Sequence, residues 1–144
     1  MTILLKILLP KVRYYMPDRR KIAQEWFDKG NHDFTTAKLA FNAGGLADTT
    51  LVLLQQAVEK HLKGYLISKG WHLKKTHNLV ELTDTAKEYN TVFNEYITLA
   101  RKLTALFLEE RYPSGPPTDY PKKELAQFAE QTEKLIKLIK KETK

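Results

Sequence analysis

The residues best suited to binding phosphate lie between positions 51 and 82 of this 144-residue chain. At about 100° per residue, a helix through this segment groups three polar side chains on one face: Gln56, Lys60 and Lys63. Two lysines one helical turn apart form a cationic stripe, and such a stripe attracts phosphate groups. A solvated helix face has the same pattern, so both interpretations stay open.

The turn after this helix adds a second set of cationic and aromatic residues. Its members are Lys69, Trp71, His72, Lys74, Lys75, Thr76 and His77. We expect Thr76 to cap the next helix, so that the free amide groups of the helix start, together with His77 and the adjacent lysines, form a phosphate site. A structural role is equally open, in which His77 bonds to the preceding loop and Trp71 closes one end of the fold.

A third candidate lies just after position 110. Arg is a bidentate donor to phosphate and Tyr offers a flat face to a base, so Arg111 and Tyr112 predict a clamp for a nucleotide or RNA. A plain helix end before Pro113 explains the same residues equally well.

Composition excludes some chemistry and disfavours more. The chain has no Cys, which excludes disulfides, thiol catalysis and Cys-ligated metals and suits a reducing cytoplasm. His72 and His77 belong to no HExxH pattern, and Gly44-Gly45 lacks the Lys-Ser/Thr of a P-loop, so we predict neither a metal nor a cofactor. The net charge of +7 favours a polyanionic partner such as a nucleotide, nucleic acid or an acidic protein.

Five amphipathic helices are predicted to position these residues. Their expected start residues, in chain order, are Asp18, Asp48 or Thr49, Thr76, Asn90 or Thr91, and Pro121. Gly44-Gly45 separates the first two helices, and a loop rich in Pro and Gly over 111–121 precedes the last. No window alternates apolar and polar residues as a strand would. We therefore predict an all-α, up-and-down bundle of about five helices.

Apolar residues at steps of three or four define the expected core. On the first helix the aromatic core residues are Trp26, Phe34 and Phe41. On the second helix the core side is predicted opposite the cationic stripe, through Leu54, Val58, His61, Leu62 and Tyr65. Ala57 and Gly64, on one flank, predict close approach of a neighbouring helix.

Residues 1–16 are predicted to be an appendage to a bundle formed by residues 17–144. The apolar start contains Lys6 and Pro10, which leave it far short of the ~20 residues that span a bilayer. No small-residue cleavage site follows it, so a signal peptide is also a poor match. We expect an extra short helix, a disordered stretch or a contact between subunits, and no membrane association.

Taken in order, several of these motifs resemble the HEPN domain family. The resemblance covers about residues 19–140 and is carried by residues 55–66 (QQAVEKHLKGYL), Gly70, residues 75–82 (KTHNLVEL), Glu25-Trp26, Asp33-Phe34, Ala37 and Arg111-Tyr112-Pro113. It implies a helical bundle, usually dimeric, that is often encoded beside a minimal nucleotidyltransferase and holds nucleotide or nucleic-acid substrates.

Many members of the family that this sequence resembles are ribonuclease toxins of toxin-antitoxin pairs. They use an Arg followed four to six residues later by a His. This sequence departs from that pattern. Its four histidines are His32, His61, His72 and His77, and none has an Arg within six residues upstream. The family's ribonuclease motif is therefore absent, and catalysis is the less favoured interpretation.

The leading hypothesis is a non-catalytic HEPN-type module that binds a nucleotide or RNA phosphates beside a nucleotidyltransferase. The predicted binding residues are Gln56, Lys60, Lys63, Lys74, Lys75, Thr76, His77, Arg111 and Tyr112. Two alternatives stay open. One is a ribonuclease toxin with a non-standard pair such as His77 with Arg111, and the other is a structural homo-oligomer or adaptor.

Overall fold

The computed structural model describes residues 18–44, 46–107 and 116–144 of the chain. Within these ranges the elements are α1 (Arg19–Asn42), α2 (Ala47–Ser68), α3 (Leu79–Tyr89), a 3₁₀ helix (Thr91–Tyr96), α4 (Ile97–Phe107) and α5 (Lys122–Glu142). The predicted all-α bundle is confirmed, and the described ranges contain no β-strand. None of their helices is long and apolar enough to cross a bilayer. The predicted appendage, residues 1–16, lies outside the described residues.

Most of the predicted helix starts agree with the structure. Asp18 caps α1, since its Oδ1 accepts a hydrogen bond from the Arg20 amide at 3.0 Å. Asn90 caps the 3₁₀ helix by accepting from the Val92 amide at 3.0 Å. Pro121 directly precedes α5, where its missing N–H costs nothing.

The second helix begins slightly earlier than expected. It starts at Ala47, after Leu46, whose side chain makes no capping hydrogen bond. Asp48, one of the two predicted start residues, lies in the first turn instead. A carboxylate there interacts favourably with the positive end of the helix dipole, so the residue still stabilises the helix start.

Helices α1 and α2 form an antiparallel pair that packs closely at two glycines. A Cβ atom at Gly30 would lie 2.6 Å from the His61 ring, and one at Gly64 would lie 2.5 Å from the Phe27 ring. Neither position accepts a side chain unless an aromatic ring moves. The close approach predicted at Gly64 is confirmed.

Helix α2 is the central helix of the bundle, because it packs against α1, α3, α4 and α5. Its predicted core side is buried, including Leu54 and Tyr65. The expectation that the opposite side is an exposed stripe is wrong for Lys63, which is only 4% exposed. A helix with neighbours on several sides buries polar residues as well, provided that they find partners.

The aromatic core differs from the expected one at a single residue. Phe34 is buried, and Phe41 is half-buried but packs against the core, as predicted. Trp26 is half-buried and lies outside the core cluster of the described residues. Its ring instead faces Lys63, whose Nζ lies 5.5 Å from the ring centroid. Trp71 packs against the core, in agreement with the structural alternative.

Candidate functional site

The turn between α2 and α3 is held in a defined backbone conformation. Gly70 has a φ of +95°, a region that glycine adopts without strain. The Trp71 amide donates to the Leu66 carbonyl at 3.0 Å, and the Gly70 amide donates to the Ile67 carbonyl at 3.0 Å. This pair of hydrogen bonds is the Schellman arrangement that ends many helices. It directs the chain into residues 72–77, which carry the predicted lysines and His77.

Two predicted cations, Lys74 and Lys75, are exposed on this turn. Neither forms an ion pair with another described residue. Their charges are therefore not neutralised by another described residue, and their role in binding stays a prediction.

His77 combines a fixed ring with an exposed surface. Its Nδ1 lies 2.9 Å from Oε1 of Glu59, and its side chain is 69% exposed whereas that of Glu59 is 5% exposed. Gln55 supports the same contact, since its Nε2 donates to the His77 carbonyl at 3.3 Å. A nitrogen that faces a carboxylate carries the proton, which leaves Nε2 as the nitrogen available to a ligand.

Glu59 is the centre of a buried polar network that sequence reasoning missed. Its Oε2 accepts from Lys63 Nζ at 3.1 Å, and its Oε1 accepts from Gln55 Nε2 at 3.2 Å as well as from His77. Gln56 extends the network by donating to Gln55 Oε1 at 2.7 Å. The spacing of Gln55, Glu59 and Lys63, four residues apart each time, is a signal that could have revealed this ladder.

Lys60 and Lys63 thus have partners inside the bundle. Lys60 pairs with Asp33 of α1, and both side chains are largely covered. Because both lysines are neutralised by carboxylates, their charges are less available to a ligand than those of Lys74 and Lys75.

The predicted cap of the third helix is wrong, because Asn78 caps α3 rather than Thr76. Oδ1 of Asn78 accepts from the Val80 and Glu81 amides at 3.0 and 3.3 Å. Thr76 lies before the cap, where its hydroxyl donates to Glu81 Oε2 at 3.2 Å. Both residue types cap helices well, and a site two residues further along the chain places Leu79 inside the core.

The start of α3 has no free amide groups for a phosphate. Its first amide, that of Leu79, donates to Thr104 Oγ1 at 3.3 Å, and the next two donate to Asn78 Oδ1. The fourth, that of Leu82, donates to the Asn78 carbonyl at 3.2 Å. The expected amide site is therefore occupied by the protein itself, and phosphate binding here depends on side chains.

Arg111 and Tyr112 lie outside the described residues, so their predicted clamp stays a prediction. Among the residues that the structure does describe, no three His, Asp or Glu side chains come together as metal ligands would.

A cavity of about 420 Å³ opens between α1, α2 and α5, and no residue of this turn lines it. His61 lines it and was expected only as a core residue. Its Nδ1 lies 2.7 Å from the Ala57 carbonyl oxygen, and its Nε2 lies 3.0 Å from the Asn31 amide oxygen. Burial lowers the pKa of His61, so the ring is neutral with its proton on Nδ1. With the proton on Nδ1, Nε2 is a hydrogen-bond acceptor. The amide group of Asn31 satisfies it when it is rotated by 180°, so that the amide nitrogen donates to Nε2.

Comparison with known proteins supports a family assignment over most of the chain. The family model of the HEPN domain matches residues 23–142. The chain is also similar to a solved protein described as an archaeal HEPN homologue, with a TM-score of 0.69 and 22% identity over 85% of this chain and 98% of that one. At this identity the likeness shows a shared fold. No curated protein matches.

Proposed function

The chain belongs to the HEPN domain family, and on that basis we propose that it is a non-catalytic module that binds the phosphates of a nucleotide or RNA, as the partner of a minimal nucleotidyltransferase. The observation that carries this proposal is the exposed His77 ring, which the buried carboxylate of Glu59 holds at 2.9 Å. It lies on the same short turn as Lys74 and Lys75. These three side chains form the phosphate-binding turn.

Each member of the phosphate-binding turn has a defined task. Lys74 and Lys75 attract the phosphate as mobile point charges. His77 is the fixed member, and its Nε2 donates to a phosphate oxygen when the ring is protonated while Nδ1 donates to Glu59.

The remaining predicted residues act around this turn. Lys63 pairs with Glu59 inside the bundle, and Gln56 donates to Gln55, which in turn donates to Glu59. Lys60 joins α1 to α2 through Asp33. Thr76 orders the turn, since its hydroxyl donates to Glu81 Oε2 and accepts from the Asn78 amide. Arg111 and Tyr112 are proposed to add a second phosphate contact and a stacking surface.

Binding of ATP and of a short labelled RNA tests the proposal, by calorimetry and fluorescence anisotropy at low and moderate salt. The double variant Lys74→Ala/Lys75→Ala should weaken RNA binding and reduce the slope of log K against log salt by about 1.4, at about 0.7 per lost phosphate contact. The matched control Lys123→Ala/Lys137→Ala removes two exposed charges from α5 and should change the slope much less. Equal losses in both variants, or no binding of either ligand, would contradict the proposal.

The partner and the oligomeric state need a separate experiment. Light scattering of the chain alone should give the mass of a dimer. Addition of a minimal nucleotidyltransferase encoded beside it should give a larger complex of fixed stoichiometry. A stable dimer that binds neither RNA, ATP nor the transferase would favour the structural adaptor instead.

A ribonuclease is the second candidate function, and the contact between Glu59 and His77 is the observation that favours it. A carboxylate on Nδ1 orients an imidazole so that Nε2 accepts a proton, here that of a ribose 2′-hydroxyl, while nearby cations stabilise the phosphate. Purified protein incubated with RNA decides between the two functions. Cleavage that disappears in His77→Ala would establish the enzyme, and intact RNA at high protein excess would exclude it.

A further inference from the structure

The cavity between α1, α2 and α5 has a volume of about 420 Å³, and no residue of the turn 69–77 lines it. It is therefore separate from the phosphate-binding turn. We propose that this cavity binds a small organic anion with a flat apolar body and a phosphate or carboxylate group. The proposal is independent of the proposed function.

One wall of the cavity is flat and rigid. The rings of Phe27 and His61 are stacked, with centroids 6.0 Å apart and planes inclined by 22°. Gly64 lies against the Phe27 ring and Gly30 lies against the His61 ring, so both rings are fixed by close contact with a helix backbone. His61 is only 2% exposed, so it is the half-buried Phe27 ring that offers a planar ligand a flat surface without further ordering.

Both apolar and cationic groups line the cavity. Ile136 and Ile139 of α5 supply apolar lining. Arg20, Lys140 and Lys144 supply positive charge, and no Asp or Glu lines the cavity. None of these three cations forms an ion pair with another residue in the described ranges. A cavity with this charge distribution binds an anion in preference to a neutral molecule of the same shape.

His61 reports directly on occupation of the cavity. Burial lowers its pKa most strongly, and the charge of Lys140 lowers it further, against the Ala57 carbonyl and Asp33, which raise it. An anion beside Lys140 offsets that positive charge. Binding should therefore change the pKa of His61, since the anion offsets the Lys140 charge and raises it, whereas further burial of the ring lowers it.

The probes are 1-naphthyl phosphate, 1-naphthol and inorganic phosphate, each titrated into the full chain while the His61 ring signals are followed by NMR. We expect 1-naphthyl phosphate to bind more tightly than either of the other two, because only it satisfies both the flat wall and the cations. Its binding should shift the His61 signals and leave the pKa of that ring higher than 1-naphthol does, because both ligands bury the ring but only the phosphate offsets the Lys140 charge. Lys140→Gln should weaken binding by about two- to five-fold, the usual effect of one partly exposed charge. Lys137→Gln, which removes a cation of α5 outside the cavity, should leave the affinity unchanged.

Three outcomes would overturn the proposal. The first is equal affinity for 1-naphthol and 1-naphthyl phosphate, which would show that the cations do not select the ligand. The second is saturation by 1-naphthyl phosphate without any change at His61. The third is loss of binding in Lys74→Ala/Lys75→Ala, which would place the probe on the phosphate-binding turn and would leave the proposed function intact. Conversely, if the protein failed to bind RNA, the proposed function would be contradicted, but the response of His61 to 1-naphthyl phosphate would still test the cavity.

Discussion

His77 Nδ1 lies 2.9 Å from Oε1 of Glu59, so an exposed residue of the turn is hydrogen-bonded to the buried carboxylate of α2. The same carboxylate binds Lys63 through its other oxygen at 3.1 Å. Glu59 thus links the orientation of the candidate site to the charge balance of the bundle interior. Changes at this residue should affect both binding and stability.

Removal of the Glu59 carboxylate should strongly destabilise the fold. In Glu59→Ala, Lys63 becomes a buried cation without a partner, and breaking a buried pair in this way costs about 3–5 kcal/mol. Urea denaturation measures the change in the free energy of unfolding. The matched control is Glu130→Ala, which breaks an exposed pair with Lys134 and should cost less than about 1 kcal/mol.

The double variant Glu59→Gln/Lys63→Met separates charge from packing. It removes both charges and keeps side chains of similar size, so it should recover much of the stability lost in Glu59→Ala. If Glu59→Ala is no more destabilising than Glu130→Ala, the buried pair does not contribute as the structure indicates.

Methyl groups added at the contact of α1 with α2 should destabilise the protein. Gly30→Ala places a Cβ 2.6 Å from the His61 ring, and Gly64→Ala places one 2.5 Å from the Phe27 ring. Overpacking of this kind costs about 1–3 kcal/mol, against a gain of about 1 kcal/mol from the higher helix propensity of Ala. Thermal and urea unfolding give the net effect.

A control substitution within α1 measures separately the stability gained from the higher helix propensity of Ala. Thr35 is exposed on the same helix, so Thr35→Ala should stabilise the protein slightly because it creates no contact. A rise in stability for Gly30→Ala equal to that for Thr35→Ala would show that the helices separate at no cost.

Helix positions were predictable because each depends on a local pattern. The spacing of apolar residues and the caps Asp18 and Asn90 act within a few residues of chain, so one sequence contains them. The burial of Lys63 was not predictable from the same pattern, because an angular plot of one helix shows its faces but not how many neighbours cover them. In the same way, Thr76 and Asn78 are both residue types that favour the N-cap position, so the local sequence does not choose between them. The packing of Leu79 in the core selects Asn78.

Burial of His61 predicts a specific dependence of stability on pH. Its pKa is lowered in the folded state, so between that value and the ordinary value of about 6.5 the unfolded chain binds more protons than the folded one. The contribution of His61 to stability is therefore complete above about pH 6.5 and is lost as the pH falls towards its folded pKa.

Two substitutions around His61 should move its pKa in opposite directions. Lys140→Gln should raise the pKa, because the Lys140 charge lowers it, and Asp33→Asn should lower the pKa, because the Asp33 charge raises it. NMR titration of the His61 ring measures both shifts. Shifts of the same sign in the two variants would contradict the electrostatic explanation.

The cap of α3 offers a test of why its amides do not bind phosphate. Asn78→Ala removes the oxygen that accepts from the Val80 and Glu81 amides, which should destabilise the protein by about 1 kcal/mol. Thr76→Ala should cost less, because Thr76 lies before the cap and its hydroxyl bonds to the exposed Glu81 side chain. Because Asn78→Ala also frees two amides at a helix start, it should bind inorganic phosphate more tightly than the wild-type chain, by calorimetry. Unchanged phosphate affinity together with the expected loss of stability would mean that Lys74, Lys75 and His77 alone determine phosphate binding at this turn.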